Sequence, residues 1–396
     1  MSQFRKPIVQ TRRDAWVEIN LAHVEHNIKA LKDFTSPNTK FMAVVKADAY
    51  GHGSTMTAPT LLASGVDMFG VASVDEGIQL RQAGIAAPIL VLGVTPEWAI
   101  TSATEHEIQI SIFTESHINA CIDTYNRLKQ NTQQIPFSGI TPSLQKKPQV
   151  HIKVDTGMNR IGLSYKDAPT FINKVLNTKE IDLKGVFSHL ACAECFDKTE
   201  IQKQKWLNTI KDIDNKHIIK HLLNTAGLMS YKDMHYDMVR AGIGIYGLMP
   251  DLSPYITNKP ELKPAMSLKG RIIFLKEVDK ENGVSYGHSF VTKNEVTKIA
   301  TIPIGYADGV PRKLSNNIYG LINGQRVKQI GNITMDQMMF DVSDVNIVET
   351  GDIITLIGKD GGESIHIDEW TNLLGTINYE LTCQLKVRLP RVYTRE

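Results

Sequence analysis

Between about residues 40 and 245, short apolar runs alternate with stretches of helical periodicity, the pattern of parallel βα units. The predicted strands are 41–45, 68–72, 89–92, 108–112, 150–154, 183–187, 221–223 and 238–240. Eight of them in sequence predict an α/β fold with an N-terminal (β/α)8 barrel of TIM type. Ser73 stands at an N-cap position with Glu76 in the capping-box place, so a helix is expected after the second strand. The tract 131–148 is rich in Gln, Pro and Ser with little periodicity, and reads as a surface insertion between barrel units. After Pro264 the pattern changes: 272–275, 296–302, 327–330 and 353–357 are predicted strands separated by glycine turns, with no long helix before about 367–374. The expected division is therefore a barrel over 12–262 and a C-terminal mainly-β domain over 263–396, with the early strand 15–19 able to pair with either.

A chain of 396 residues is long enough for two domains and a full core. Its 44 basic and 42 acidic side chains leave a formal charge of +2, with no block of like charge to suit nucleic acid or a membrane surface. A small-molecule partner is expected. No apolar run approaches the roughly 18 residues of a membrane span. Polar Thr11-Arg12-Arg13-Asp14 follows the first residues where a signal peptide would carry its apolar core, so a cytoplasmic location is expected. Cys192 and Cys195 have the spacing of a redox or zinc pair, but no second pair completes four ligands, so no metal is predicted.

Polar groups recur just past the C-terminal ends of the predicted strands, the catalytic face of a barrel. Lys46 and Tyr50 follow the first strand in the run Ala43-Val44-Val45-Lys46-Ala47-Asp48-Ala49-Tyr50-Gly51-His52-Gly53. A lysine partly desolvated in a barrel mouth favours the neutral amine that forms a Schiff base. Lys153 ends the fifth strand, with Asp155, Thr156, Gly157 and Arg160 after it; His189, Asn224 and Thr225 follow later strands, and Arg240 closes the series. Gly242 and Gly244 offer backbone N–H groups to a phosphate, and the Thr225 hydroxyl suits the same anion. A phosphate site beside a Schiff-base lysine suggests pyridoxal 5'-phosphate. No strand-end acid is placed for the pyridine nitrogen; Arg240 is available instead, and a guanidinium keeps its proton, which favours brief carbanion character and prompt reprotonation over transamination.

The lysine run resembles the pyridoxal-phosphate signature of alanine racemases. So do Lys153-Val154-Asp155-Thr156-Gly157-Met158-Asn159-Arg160-Ile161-Gly162, Val239-Arg240-Ala241-Gly242-Ile243-Gly244-Ile245-Tyr246-Gly247, Val284-Ser285-Tyr286-Gly287, Gly305-Tyr306-Ala307-Asp308-Gly309, Met335-Asp336-Gln337 and Asn378-Tyr379-Glu380, in family order. The resemblance implies interconversion of L-alanine and D-alanine by two-base proton transfer at Cα, supplying D-alanine for peptidoglycan, by a homodimer whose active sites are shared across the interface. By position Lys46 resembles the Schiff-base lysine, acting on the D-enantiomer, and Tyr286 the opposite base, acting on the L-enantiomer. The resemblance places Arg240 at the ring nitrogen with His221 behind it, His189 on the ring, and Tyr50, Thr225, Gly242, Ile243 and Tyr379 at the phosphate. It places Arg160 and Met335 at the substrate carboxylate, and Tyr306, Arg312, Asp336 and Tyr379 at the entryway. Lys153 matches a lysine often carbamylated in the family, where it orients the arginine.

Thr225 stands where serine is usual, Asn159 replaces a frequent glycine, and Thr334 precedes Met335 where cysteine is common. Racemisation takes a proton from one face of Cα and returns one on the other, so two bases are needed. A phenol used as a base needs positive charge beside it, and His189 with Arg240 behind it is the expected source. The other readings are a pyridoxal-phosphate carrier, which needs no second domain, a decarboxylase of the same two-domain plan, and a phosphate-binding barrel aldolase.

Overall fold

The structure, a computed structural model, describes residues 12–133, 146–213, 216–252 and 256–396. Most of the predicted insertion 131–148 lies outside the described residues. The described chain divides into two compact units, one from 24–49 and 54–262, the other from 12–23, 50–53 and 263–396.

The first unit is a parallel barrel of β1 (Lys40–Val44), β2 (Met68–Val71), β3 (Ile89–Val91), β4 (Ile108–Ile112), β5 (Gln149–Asp155), β6 (Asp182–Phe187), β7 (Ile219–His221) and β8 (Met238–Ala241). Neighbours pair in parallel from Met42 opposite Met68 round to Phe187 opposite His221, and β8 pairs β1 with Met238 opposite Lys40. The circuit is completed between β7 and β8 by the Asp237 N–H to Lys220 O and the Arg240 N–H to Leu223 O, each 3.1 Å. Covered on both faces, β2 and β3 read as unbroken apolar runs, while all five residues of β4 are buried although Gln109 and Ser111 interrupt its apolar pattern. The surrounding helices bury one stripe; Ala168–Leu176 does so through Ala168, Phe171, Ile172 and Val175. The seventh strand ends two residues earlier than its apolar run suggests. Leu222 and Leu223 are fully buried and Leu223 O still accepts from the Arg240 N–H, but the regular pairing with β6 stops at His221, and Asn224 caps the helix Thr225–Ser230 by accepting from the Gly227 N–H at 2.9 Å.

The second unit is built on a ten-stranded sheet in the order Phe274–Asp279, Val296–Ile302, Met338–Asp341, Gln325–Ile330, Tyr319–Ile322, Ile353–Asp360, Met266–Arg271, Ala15–Asn20 and Arg391–Thr394, with Glu363–Ile365 on Ile353–Asp360. The early strand pairs antiparallel with Met266–Arg271 and parallel with Arg391–Thr394. The expected strand 272–275 straddles a break between two strands. Ile272 donates to Asp352 O at 2.8 Å and Ile273 to Thr301 O at 2.9 Å, so the chain changes partner inside that apolar run. The helix Ile367–Leu374 follows, with a second, Asn378–Gln384, behind it. No helix among the described residues is long and apolar enough to cross a membrane.

Candidate active site

Lys46 begins a left-handed turn at the end of β1. Ala47, Asp48, Ala49 and Tyr50 have φ of 52, 51, 56 and 53°, a region that costs an L-residue about 1–2 kcal/mol each. The surroundings hold the turn against this cost. Glu76 accepts from the Ala47 N–H at 2.8 Å and the Ala72 N–H at 2.7 Å, and Asp48 accepts from the Ser54 N–H at 2.7 Å. Ser73 caps its helix as expected, accepting from the Glu76 N–H at 3.3 Å. The Glu76 carboxylate, however, does not return to Ser73. It is drawn to the strand-end donors Ala72 and Ala47.

Arg240 lies at the centre of the barrel, 3 % exposed. It donates through Nη1 to His221 Nδ1 at 2.9 Å, and through Nη2 to Ser188 O and Leu222 O, each at 2.8 Å, and to His189 Nδ1 at 3.2 Å. Among the described residues no carboxylate stands within ion-pair distance of it, and burial lowers its pKa to about 9. An uncompensated buried cation is costly and lowers the pKa of its neighbours. His189 is held well below the ordinary imidazole value by burial, then by Arg240, Lys153, Arg160 and Lys46. Its Nδ1 accepts from the Arg240 guanidinium, which carries the positive charge here.

Lys153 is buried under the same influences. Burial first, then Arg240, Arg160 and Lys46, bring its pKa down to about 7, while its Nζ donates to Leu92 O at 3.1 Å and lies 5.1 Å from the Phe187 ring centroid. Arg160 is exposed on a turn in which Asp155 accepts from the N–H groups of Gly157 at 2.8 Å and Asn159 at 3.1 Å. Asn159 takes φ of 53° there, a conformation asparagine tolerates, which explains why it can stand in for glycine. Gln202 was not singled out from the sequence. Buried, it donates to Thr156 and to His189 O, each at 3.1 Å, and accepts from the Ala191 N–H at 2.8 Å, tying the β5 and β6 loops together.

Thr225, Gly242 and Ile243 meet at the ends of β7 and β8, where the Gly242 N–H donates to the Thr225 hydroxyl at 2.8 Å. A Cβ on Gly244 would come within 2.7 Å of the Thr225 methyl, so glycine is required for the turn to close on the hydroxyl. The Arg240 Nε–H has no acceptor among the described residues, and it is a donor suited to an unprotonated ring nitrogen. An amine at a strand end, a hydroxyl and backbone turn fit for phosphate, and this donor together fit pyridoxal phosphate.

In the second unit the Tyr50 and Tyr379 rings meet edge to face, centroids 6.0 Å apart. Tyr286 is 74 % exposed, on a loop fixed by Asn332 donating to Tyr286 O at 2.6 Å and Ser285 donating to Asn332 O at 2.7 Å. Tyr306 and Ala307 donate to Thr334 O and Met335 O, each at 3.0 Å, so Tyr306, Met335 and Asp336 are gathered on joined loops, while Asp336 pairs with Arg388 at 2.6 Å. Arg312 opens a single helical turn, Arg312–Leu314. Asp308 is fully buried, accepting from Arg13 at 2.5 and 2.7 Å and from the Gly305 N–H at 3.0 Å. No disulfide joins any two of the four cysteines, and among the described residues no group of His, Cys, Asp and Glu is arranged to hold a metal ion.

Comparison with known proteins agrees with this geometry. Residues 19–250 match the family model "Alanine racemase, N-terminal domain" and residues 265–393 "Alanine racemase, C-terminal domain". The chain is 44% identical to the alanine racemase of Nostoc sp. over 96% of its length and 95% of that protein's. It superposes on the alanine racemase of Clostridium difficile 630 with a TM-score of 0.86 at 35% identity, covering 98% of this chain and 97% of that one. It also superposes on a histidine racemase from Leuconostoc mesenteroides with a TM-score of 0.84 at 31% identity, covering 97% and 98%. Both domains match along nearly the whole length, so the chain belongs to the alanine racemase family.

Proposed function

We propose that this chain interconverts L-alanine and D-alanine with pyridoxal 5'-phosphate, the cofactor held by the barrel domain that ends at about 262 and the site completed in a homodimer by the mainly-β domain from 263 onward, which also takes in the strand Ala15–Asn20. The observation that carries the reading is Arg240, a buried cation with no carboxylate partner and no acceptor for its Nε–H among the described residues, in a cluster that includes Lys46 and Lys153. Pyridoxal phosphate, when bound, makes the Cα proton of an attached amino acid acidic.

Lys46 would hold the cofactor covalently and, once displaced by substrate, take or return the Cα proton on one face through its Nζ. Tyr286, supplied across the subunit boundary, would do so on the other through its Oη. Thr225, Gly242, Ile243, Tyr50 and Tyr379 would bind the phosphate, His189 would lie on the ring, and Arg240, backed by His221, would donate to the ring nitrogen. A guanidinium does not surrender that proton at neutral pH, which limits charge withdrawal into the ring and favours reprotonation of Cα. Arg160 and Met335 would receive the substrate carboxylate, Lys153 would orient Arg160, and Tyr306, Arg312 and Asp336 would line the entry.

Purified protein mixed with the cofactor should absorb near the visible edge, lose that band in Lys46→Ala, and convert L-alanine to its enantiomer. L-serine, L-lysine and L-histidine serve as competitors, with about 1–3 kcal/mol of discrimination per added methylene. A preference for lysine or histidine would overturn the substrate assignment, and a colourless protein the cofactor assignment.

A further inference from the structure

Behind Arg240 a line of side chains, buried as far as Gln109, crosses the barrel interior. Arg240 Nη1 meets His221 Nδ1 at 2.9 Å, His221 Nε2 meets His151 Nδ1 at 2.9 Å, His151 Nε2 meets Gln109 Oε1 at 2.9 Å, and Gln109 Nε2 meets Gln149 Oε1 at 3.1 Å. Room for it is built in. A Cβ on Gly185 would come within 2.4 Å of His151 Nδ1, and the Phe187 ring stacks on His221 with centroids 4.9 Å apart and planes 8° from parallel.

The direction of every bond in this line follows from one fact: a guanidinium only donates. His221 Nδ1 must then accept, so the His221 proton sits on Nε2 and points to His151 Nδ1. That nitrogen must accept in turn, the His151 proton sits on its Nε2, and an acceptor is needed beyond it. Gln109 supplies the acceptor through Oε1 and passes its own N–H to Gln149. We propose that His151 and Gln109 are positioning residues of the reaction: they lock His221 into its Nε2–H tautomer and so keep Arg240 aligned as the donor to the cofactor ring. Burial, reinforced by Arg240, holds His151 down to about 3 and His221 well below its ordinary value, so neither takes a second proton that would reverse the line. Without the Gln109 acceptor, His151 gains by moving its proton to Nδ1. That turns His221 over as well and sets an N–H against Arg240 Nη1.

The inference rests on the proposed role of Arg240, and its test separates the two. Two-bond proton–nitrogen spectra of histidine-labelled holoenzyme at pH 7, assigned with His151→Asn and His221→Asn, should show both residues neutral with the proton on Nε2. In Gln109→Met the His221 proton should move to Nδ1, the cofactor band should shift, and kcat should fall about tenfold with KM within about twofold. Gln109→Glu keeps an acceptor and should restore the tautomers and kcat. His151 found as an imidazolium or with its proton on Nδ1 overturns the inference, as does a Gln109→Met enzyme with unchanged tautomers and kcat. The spectrum of the unaltered enzyme decides even where a variant fails to fold. An unaltered enzyme that does not racemise alanine overturns the proposed function instead.

Discussion

Glu76 and Ala47 are joined by a 2.8 Å hydrogen bond from the Ala47 N–H to one carboxylate oxygen, and the other oxygen takes the Ala72 N–H at 2.7 Å. A single carboxylate thus ties the residue after Lys46 to the end of the neighbouring strand. Removing it in Glu76→Ala leaves two strand-end donors without their acceptor and a left-handed turn without its anchor. The expected loss is about 1–3 kcal/mol of stability, read as a lower urea midpoint, together with a weaker cofactor band. Glu76→Gln keeps one acceptor oxygen and should lie between the two. An unchanged band in Glu76→Ala would show that the turn does not depend on this carboxylate.

On the proposed two-base mechanism, replacing Tyr286 by phenylalanine removes one base and leaves the other. Exchange of the Cα proton of L-alanine for solvent deuterium should fall by about 10²–10⁴-fold, while exchange from D-alanine, served by Lys46, is spared. Equal residual exchange from both enantiomers would refute the two-base assignment.

Lys153 should react with carbon dioxide. With its pKa lowered to about 7 by burial and by Arg240, Arg160 and Lys46, a large share of the amine is neutral at pH 8. An Nζ–carbon bond forms as the nitrogen gives one proton to water, producing an anion among cations. Labelled bicarbonate should give a carbamate carbon resonance that grows as pH rises through about 7 and is missing from Lys153→Arg. A spectrum without it at pH 8 would contradict the assignment.

The buried histidines set the acid side of the stability curve. His151 is lowered to about 3 in the folded chain, while an unfolded histidine titrates near 6.5. Between these values the unfolded chain binds the extra proton, so stability rises with pH across the window and falls as pH drops from about 6.5 toward 3. At pH 5 this one residue accounts for about 2 kcal/mol relative to pH 7.5, and His151→Asn should lose that part of the slope. Parallel urea titrations of the two proteins at pH 5 and 7.5 make the comparison, and equal slopes would refute it.

Strands such as Met68–Val71 and Ile89–Val91 were readable because burial on both faces makes them apolar runs, and Lys46 followed from where the first run stops, whereas Lys153 and Arg240 lie inside Gln149–Asp155 and Met238–Ala241. Strand ends were less clear where burial outlasts the regular pairing with a neighbour, as at Leu222 and Leu223, or where a run changes partner, as at Ile272 and Ile273. The left-handed turn carries no glycine from Ala47 to Tyr50, so nothing local announces its positive φ. It exists because distant acceptors, Glu76 among them, satisfy it. His151 and Gln109 passed as ordinary strand residues. The available signal was a histidine two residues before Lys153, on the same side of a strand whose intervening residues are all apolar.

On the proposed mechanism Lys46 carries the chemistry of an alanine racemase. Its most direct test is a chiral assay of L-alanine incubated with the cofactor-loaded protein in deuterated water, beside Lys46→Ala. The account predicts D-alanine carrying deuterium at Cα from the unaltered protein and none from the variant. L-alanine recovered unchanged from the unaltered protein, or equal D-alanine from both, would contradict it.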